Sequence, residues 1–212
     1  MSNIFYFILL FVFILLLTIF KSVKTSEGVL VWKAMYRVST FKCLKDQFSK
    51  EFIIVSANDK NSGDIDTNAE LNIINARAAG FENVDIYLSP CVKPYFSYYC
   101  CKTCGYPRKF ITTVLDHFKL NNAKFGRKMI TTLNERNQTF GFFANKYNWH
   151  EITGNTRKYN DTPLLYIHLD NENNFDDYNE YGYPFGGWEK PTMKEYNFTT
   201  TCEIDVGNIL QI

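Results

Sequence analysis

The residues best placed by type and spacing to do chemistry lie in "HLDNENN" (168–174). Asp170 and Glu172 stand two apart, directly after the apolar run "TPLLYIHLD" (162–170), and His168 precedes them by two. Side chains alternate along an extended chain, so carboxyls two apart at a strand end share one face. Such a pair can divide acid and base roles. The longer run "DNENNFDDYNEY" (170–181) also reads, more simply, as a solvated acidic rim. A second cluster is "CCKTC" (100–104), which contains a Cys-x-x-Cys. Zinc would need another such pair or His at ligand spacing, and the sequence offers neither. A redox pair would open a helix after a strand, whereas this one sits in a Pro/Gly/Tyr-rich loop. The six cysteines, at 43, 91, 100, 101, 104 and 202, are an even set and read as structural disulfides. No metal or cofactor is implied. His117 and His150 fall on helical segments without ligand-spaced partners and read as ordinary His.

The elements that must position these groups follow from hydrophobic period. "GVLVWKAMYRVS" (28–39) predicts a first strand, and the unbroken apolar run "EFIIVSAN" (51–58) a strand buried on both faces. "DTNAELNIINARAAGF" (66–81) predicts a helix. Thr67 and Glu70 form its capping box, Leu71, Ile74 and Ala78 its inner face, and Gly80 its stop. "VDIYLSPC" (84–91) predicts another buried strand ended by Pro90, and an amphipathic helix is expected near 108–121. After "NNAKFG" (121–126) the helical period resumes at once through Met129, Ile130 and Leu133, which places Glu135 on a helix. "TFGFFAN" (139–145) then predicts a strand and "KYNWHEIT" (146–153) a short helix. Three strand-like runs follow, at 162–170, 191–198 and 202–210, with no helix between them. This order predicts an α/β fold, a modified TIM-like barrel of βα units followed by three closing strands with an antiparallel tail. It is incomplete by one βα unit, because no strand separates the helix at 108–121 from the next helical segment.

The ends and the charge set the compartment. Ile4–Phe20 is an apolar run, with Thr18 its one hydroxyl residue besides Tyr6, of the length of a signal or a short anchor. The expectation is a signal peptide within residues 1–25 and one domain over 26–212, with membrane anchoring by residues 4–20 as the alternative. Asn137, Asn160 and Asn197 each head an Asn-x-Ser/Thr acceptor. With the cysteines they indicate a secreted, glycosylated, monomeric domain. The formal charge is +1, and it becomes −1 when residues 1–25, with Lys21 and Lys24, are removed. A near-neutral surface excludes nucleic acid as a partner. Aromatics make up 17% of the chain, with 14 Tyr, a composition suited to stacking on sugar rings.

Three long pieces carry a resemblance. "STFKCLKDQFSKEFIIVSANDKNSGDIDTNAELNIINARAAGFENVDIYLSPC", "GFFANKYNWHEITGN" and "PLLYIHLDNENNFDDYNEYGYPFGGWEKPTMKEYNFTTTCEIDV" together resemble secreted lysozymes of glycoside hydrolase family 25 over nearly all of residues 30–208. The resemblance implies a barrel of five βα units and three closing strands that cuts the N-acetylmuramic acid–N-acetylglucosamine link of bacterial peptidoglycan. It also implies a catalytic Asp-x-Glu at the end of the fourth strand, the strand missing here. Aligning "TTLNE" with that motif would make Glu135 the acid and put Leu133 where the Asp belongs.

Other family positions have changed too. Arg37 stands near the first-strand Asp, Leu165 at a sixth-strand aromatic and Glu195 at an amide, while the last-strand Asp survives as Asp205. Tyr87, Tyr147, Trp149 and Trp188 match positions near the sugar cleft. Cys43 and Cys202, near the first and last strands, are expected to pair, and Cys91 to pair with Cys100, Cys101 or Cys104. The catalytic candidates are therefore Asp205, Asp170, Glu172 and Glu135. The expectation is a lysozyme-like domain that binds peptidoglycan and is impaired in cutting it. The alternatives are a non-catalytic glycan-binding protein, or an active lysozyme whose sequence here lacks an internal segment.

Overall fold

A computed structural model describes residues 25–32, 34–57, 66–88, 130, 133–135, 137–180 and 184–212. The predicted helix at 108–121, the "NNAKFG" junction, the apolar run 4–20 and Cys91, Cys100, Cys101 and Cys104 lie outside the described residues. Among the described residues no helix is long and apolar enough to cross a membrane.

Seven strands form one curled sheet: β1 (Ser26–Val31), β2 (Phe52–Ser56), β3 (Asn83–Tyr87), β4 (Phe142–Ala144), β5 (Leu164–Ile167), β6 (Met193–Thr201) and β7 (Ile204–Gln211). Their order is β3-β2-β1-β7-β6-β5-β4, so β3 and β4 are its two edges. β1–β2, β2–β3, β4–β5 and β5–β6 pair in parallel. β7 alone runs antiparallel, zipped between β6 and β1. The expected antiparallel tail is thus a single strand. β5 and β6 connect without an α-helix, through a long loop with a 3-10 turn at Asp176–Asn179. Among the described residues no strand lies between β3 and β4, which leaves a half-barrel.

All five residues of β2 are buried, as its apolar run requires. β3 differs from the buried strand expected there. Asn83, Asp85 and Ile86 are exposed, because β3 is an edge and lacks a covering neighbour among the described residues. The strand predicted over 28–39 stops at Val31, and Val38–Asp46 forms helix α1 instead, with Phe41 and Leu44 buried three apart on one face.

Helix α2 (Ala69–Ala78) also turns differently from its prediction. Ala69, Asn72 and Ala76 face the sheet, while Leu71 and Ile74 are exposed. Backbone accounting explains the choice. The Tyr36 N–H donates to Asn72 Oδ1 at 2.8 Å, Asn72 Nδ2 donates to Ala34 O at 2.8 Å, and Asn75 Nδ2 donates to Tyr36 O at 2.7 Å. Turning the two amides inward satisfies the 34–36 loop, whose polar groups would otherwise be stranded. Nor does the capping box close: Asn68 is the N-cap, and its N–H is held by Asp66 Oδ1 at 2.9 Å. Helix α3 (Lys146–Thr153) matches its predicted span. Asn145 caps it by accepting from the Asn148 N–H at 2.7 Å, and Gly154 ends it at φ 64°.

Apolar clusters lie on both faces of the sheet. Outside β1 and β2, Val29, Val31, Ile53 and Val55 pack on Phe41, Leu44, Ala76 and Phe81. Outside β4 and β5, Leu164 and Tyr166 pack with Trp149, Tyr178, Phe185 and Trp188. Inside the curl, Leu30, Phe52, Ile54 and Ile209 are buried, with Trp32, Tyr87, Leu165 and Met193 against them. Cys43 of α1 and Cys202 of the β6–β7 turn form a disulfide, Cα–Cα 6.0 Å, as expected for neighbours in a closing sheet.

Candidate functional site

In a parallel barrel the carboxyl ends of the strands converge, and side chains there share one mouth. Trp32, Ser56, Tyr87 and Phe143 come to this end of β1, β2, β3 and β4. Tyr87 and Phe143 meet edge to face at 5.6 Å, joining the two edges of the sheet by side chains. Trp32 meets Phe198 of β6 edge to face at 5.9 Å.

Glu195 faces the same interior, two residues on from Met193 in β6, and a defect in the strand brings Phe198 to join it. Glu195 pairs with Ile209, but Asn197 pairs with Asn208, so Tyr196 is the extra residue of a bulge. In a regular strand residues 195 and 198 would face opposite ways. The bulge turns both toward Gly207, where a β-carbon would collide with Glu195 Oε1 and lie 3.3 Å from Phe198 Cε1. Glycine at 207 makes room for the carboxyl. Glu195 is 1% exposed, and its Oε1 has no hydrogen-bond partner among the described residues. Burial pushes its carboxyl up to about 7. Burial likewise raises the Tyr87 phenol, against a hydrogen bond with Ser56 and with a further push from the Glu195 charge.

A second ionic group lies on the outer face. Lys194, fully buried, bonds Asp170 Oδ2 at 2.6 Å and Asp177 Oδ1 at 2.8 Å. Asp177 also accepts from the Tyr166 hydroxyl at 2.7 Å and lies 2.5 Å from His168 Nδ1, which is 3.2 Å from Asp170 Oδ2. Burial pushes the Asp177 carboxyl up, but hydrogen bonds from Lys194, Tyr166 and His168 and the Lys194 charge outweigh it and hold the group below its ordinary value. His168, Asp170 and Asp177 converge closely enough to hold a cation. The Lys194 ammonium already supplies that positive charge.

The structure scatters the remaining candidates. Asp170 belongs to the outer network, and exposed Glu172 gives its N–H to Asp170 Oδ1 at 3.0 Å. Asp205, the second residue of β7, is exposed on the same face of the sheet as Gly207 and accepts from the Thr200 hydroxyl at 2.8 Å across the hairpin. Glu135 is exposed on the helical stretch 133–135. Tyr147 is 73% exposed on the first turn of α3, and Tyr87 stands at the mouth. Trp149 and Trp188 lie behind the sheet, ring centroids 4.8 Å apart, with their indole N–H groups given to Thr156 O and Thr162 O. Trp32 and Phe198 were not among the candidates. Their meeting depends on the bulge, and no residue type in "KEYNFTT" announces one.

A curled sheet of six parallel strands and one antiparallel strand, with aromatic and carboxyl groups at its carboxyl end, has the lysozyme/muramidase-like glycoside hydrolase fold. A family model described as lysozyme-like protein 1 matches residues 27–99 and 113–196, and the chain belongs to that family, of glycoside hydrolase 25 type. It is 31% identical to lysozyme-like protein 5 of Caenorhabditis elegans, over 92% of this chain and 95% of that one. It is 30% identical to probable GH family 25 lysozyme 5 of Dictyostelium discoideum, over 89% of each. The fold is similar to that of the muramidase from Trichobolus zukalii, with a TM-score of 0.56 at 15% identity, covering 88% of this chain and 93% of that one.

Proposed function

We propose that this chain is a secreted lysozyme-like domain that binds bacterial peptidoglycan at the carboxyl end of its half-barrel and hydrolyses it poorly or not at all. The carrying observation is that the strand-end pair is spent outside the curl, Asp170 being bound to Lys194, while of the carboxyls on the inner face Glu195 is buried without a partner and Asp205, two residues from Gly207 on β7, is engaged by the Thr200 hydroxyl. Glycosidic cleavage in its usual form needs two carboxyl functions flanking the bond, about 5–10 Å apart. Losing one acid–base group costs about 10²–10⁴-fold. Tyr87, Tyr147 and the Trp32–Phe198 pair supply the aromatic surface a sugar ring stacks on.

The disulfide fits an oxidising, extracellular setting, with residues 1–25 as the signal and no need of a cofactor. The exposed Asn137 and Asn160 suit glycosylation better than Asn197, whose Oδ1 is buried. Two assays on purified bacterial walls test the reading. Co-sedimentation with insoluble peptidoglycan is expected to be positive and turbidity clearing absent. Robust clearing by the purified chain would overturn it.

A further inference from the structure

The environment of Glu195 goes beyond general glycan binding. A buried polar atom without a partner is rare in a folded protein and calls for an explanation. Here the unpartnered oxygen points into an aromatic enclosure. Phe198 stands on the same face of Gly207, Trp32 meets the Phe198 ring at 5.9 Å, and Tyr87 is near enough for its phenol to feel the Glu195 charge. The strands around it bring no donor to Oε1. Leu30 and Trp32 face it from β1, Ile54 and Ser56 from β2, Leu165 from β5, and Gly207 and Ile209 from β7. Tyr87 and Asp85 of β3 and Asp205 of β7, which accepts from the Thr200 hydroxyl, are the other titratable groups that the strand register places on this face, and Lys194, next in sequence, points outward to Asp170 and Asp177.

A carboxylate beside aromatic faces is a receptor for a cation with N–H donors. The ion pair satisfies the acceptor, and ring quadrupoles stabilise positive charge over their faces. A neutral acetamido group brings no charge and gains much less from the same wall.

Resting on the glycan-binding reading above, we propose that Glu195, walled by Trp32, Phe198 and Tyr87, is a binding site for the primary ammonium of a de-N-acetylated amino sugar. The ligand class is a glycan in which free glucosamine replaces N-acetylglucosamine. Phe198, 55% exposed, is the wall that can turn aside to admit the sugar. Burial that holds the empty site's carboxyl protonated near neutrality is offset once the ammonium is seated, so binding releases a proton.

Calorimetry with chito-pentaose in its fully de-N-acetylated and fully N-acetylated forms, at pH 6.5 and 0.15 M salt, tests the proposal. The wild type is expected to bind the amine form at least tenfold more tightly. Glu195→Gln, nearly isosteric, should erase that preference while keeping the melting transition. Glu180→Gln, which removes an exposed carboxylate elsewhere, should leave it intact. Equal affinities in the wild type, or a preference that survives Glu195→Gln, overturns the proposal and leaves glycan binding standing. Binding of neither oligomer, together with no co-sedimentation on peptidoglycan, overturns both.

Discussion

At the residue scale, two buried ionisable groups set how this protein responds to pH, and their signs are opposite. Glu195 has a carboxyl raised from 4.5 to about 7. Between those values the folded chain holds a proton that the unfolded chain has released, so stability is full below pH about 4.5 and falls as pH rises through 7. At about 1.4 kcal/mol per pH unit the loss is about 3 kcal/mol. Glu195→Gln should flatten that slope, and urea midpoints at pH 5 and pH 8 would show it. Asp177 behaves in reverse. Its carboxyl is lowered from 3.8, so its contribution is present above that value and is lost as pH falls through the native one. Lys194→Met would leave Asp170 and Asp177 without their cation and should cost about 3–5 kcal/mol at neutral pH, read by urea denaturation. The sequence displayed all of these residues but not their roles. Asp170 and Glu172 looked like a pair because a strand precedes them. Lys194, which claims Asp170, is far along the chain, and only the parallel pairing of β5 with β6 brings it there.

At the element scale, legibility followed how local each signal was. α3 was readable because Asn145 and Gly154, its two stops, lie next to it in sequence. β2 was readable because a strand buried on both faces is apolar throughout. α2 was mis-faced because two asparagines outcompeted Leu71 and Ile74 for the inward side, a choice made by the 34–36 loop and not by the helix. The β6–β7 hairpin adds a case that sequence rules disfavour. Cys202 and Glu203 make its two-residue turn with φ 54° and 64°, where Asn-Gly is the usual occupant. Left-handed backbone costs a non-glycine residue about 1–2 kcal/mol. Cys202 is committed there by its bond to Cys43, so Glu203 is the free variable. Glu203→Gly should stabilise the fold by up to about 1 kcal/mol, after the added entropy of the unfolded glycine. Calorimetric melting would record this as a rise in Tm, and a fall would mean that the Glu203 side chain holds the turn.

At the scale of the whole molecule, the question is how a barrel lacking one stave among its described residues keeps its edges together. The sequence places the omission between two adjoining helical periods that lie mostly outside the described residues. What that omission does to the sheet was not legible, because closure is a contact between residues 56 positions apart. A half-barrel with free edges is expected to flatten, or to expose strand backbone to other chains. Instead the sheet curls until Tyr87 of β3 and Phe143 of β4 touch at 5.6 Å, near a right angle. Such ring pairs contribute about 0.5–1.5 kcal/mol beyond their burial. If this contact closes the curl, the two residues act as a unit. Tyr87→Ala and Phe143→Ala should then each destabilise the fold, while the double variant costs less than their sum by about 1 kcal/mol. Hydrogen exchange should quicken at the amides of β3 and β4 in either single variant, while β1 and β7, zipped at the centre, keep their protection. Strict additivity, with β3 and β4 exchanging as in the wild type, would mean that the edges are held by something other than this aromatic contact.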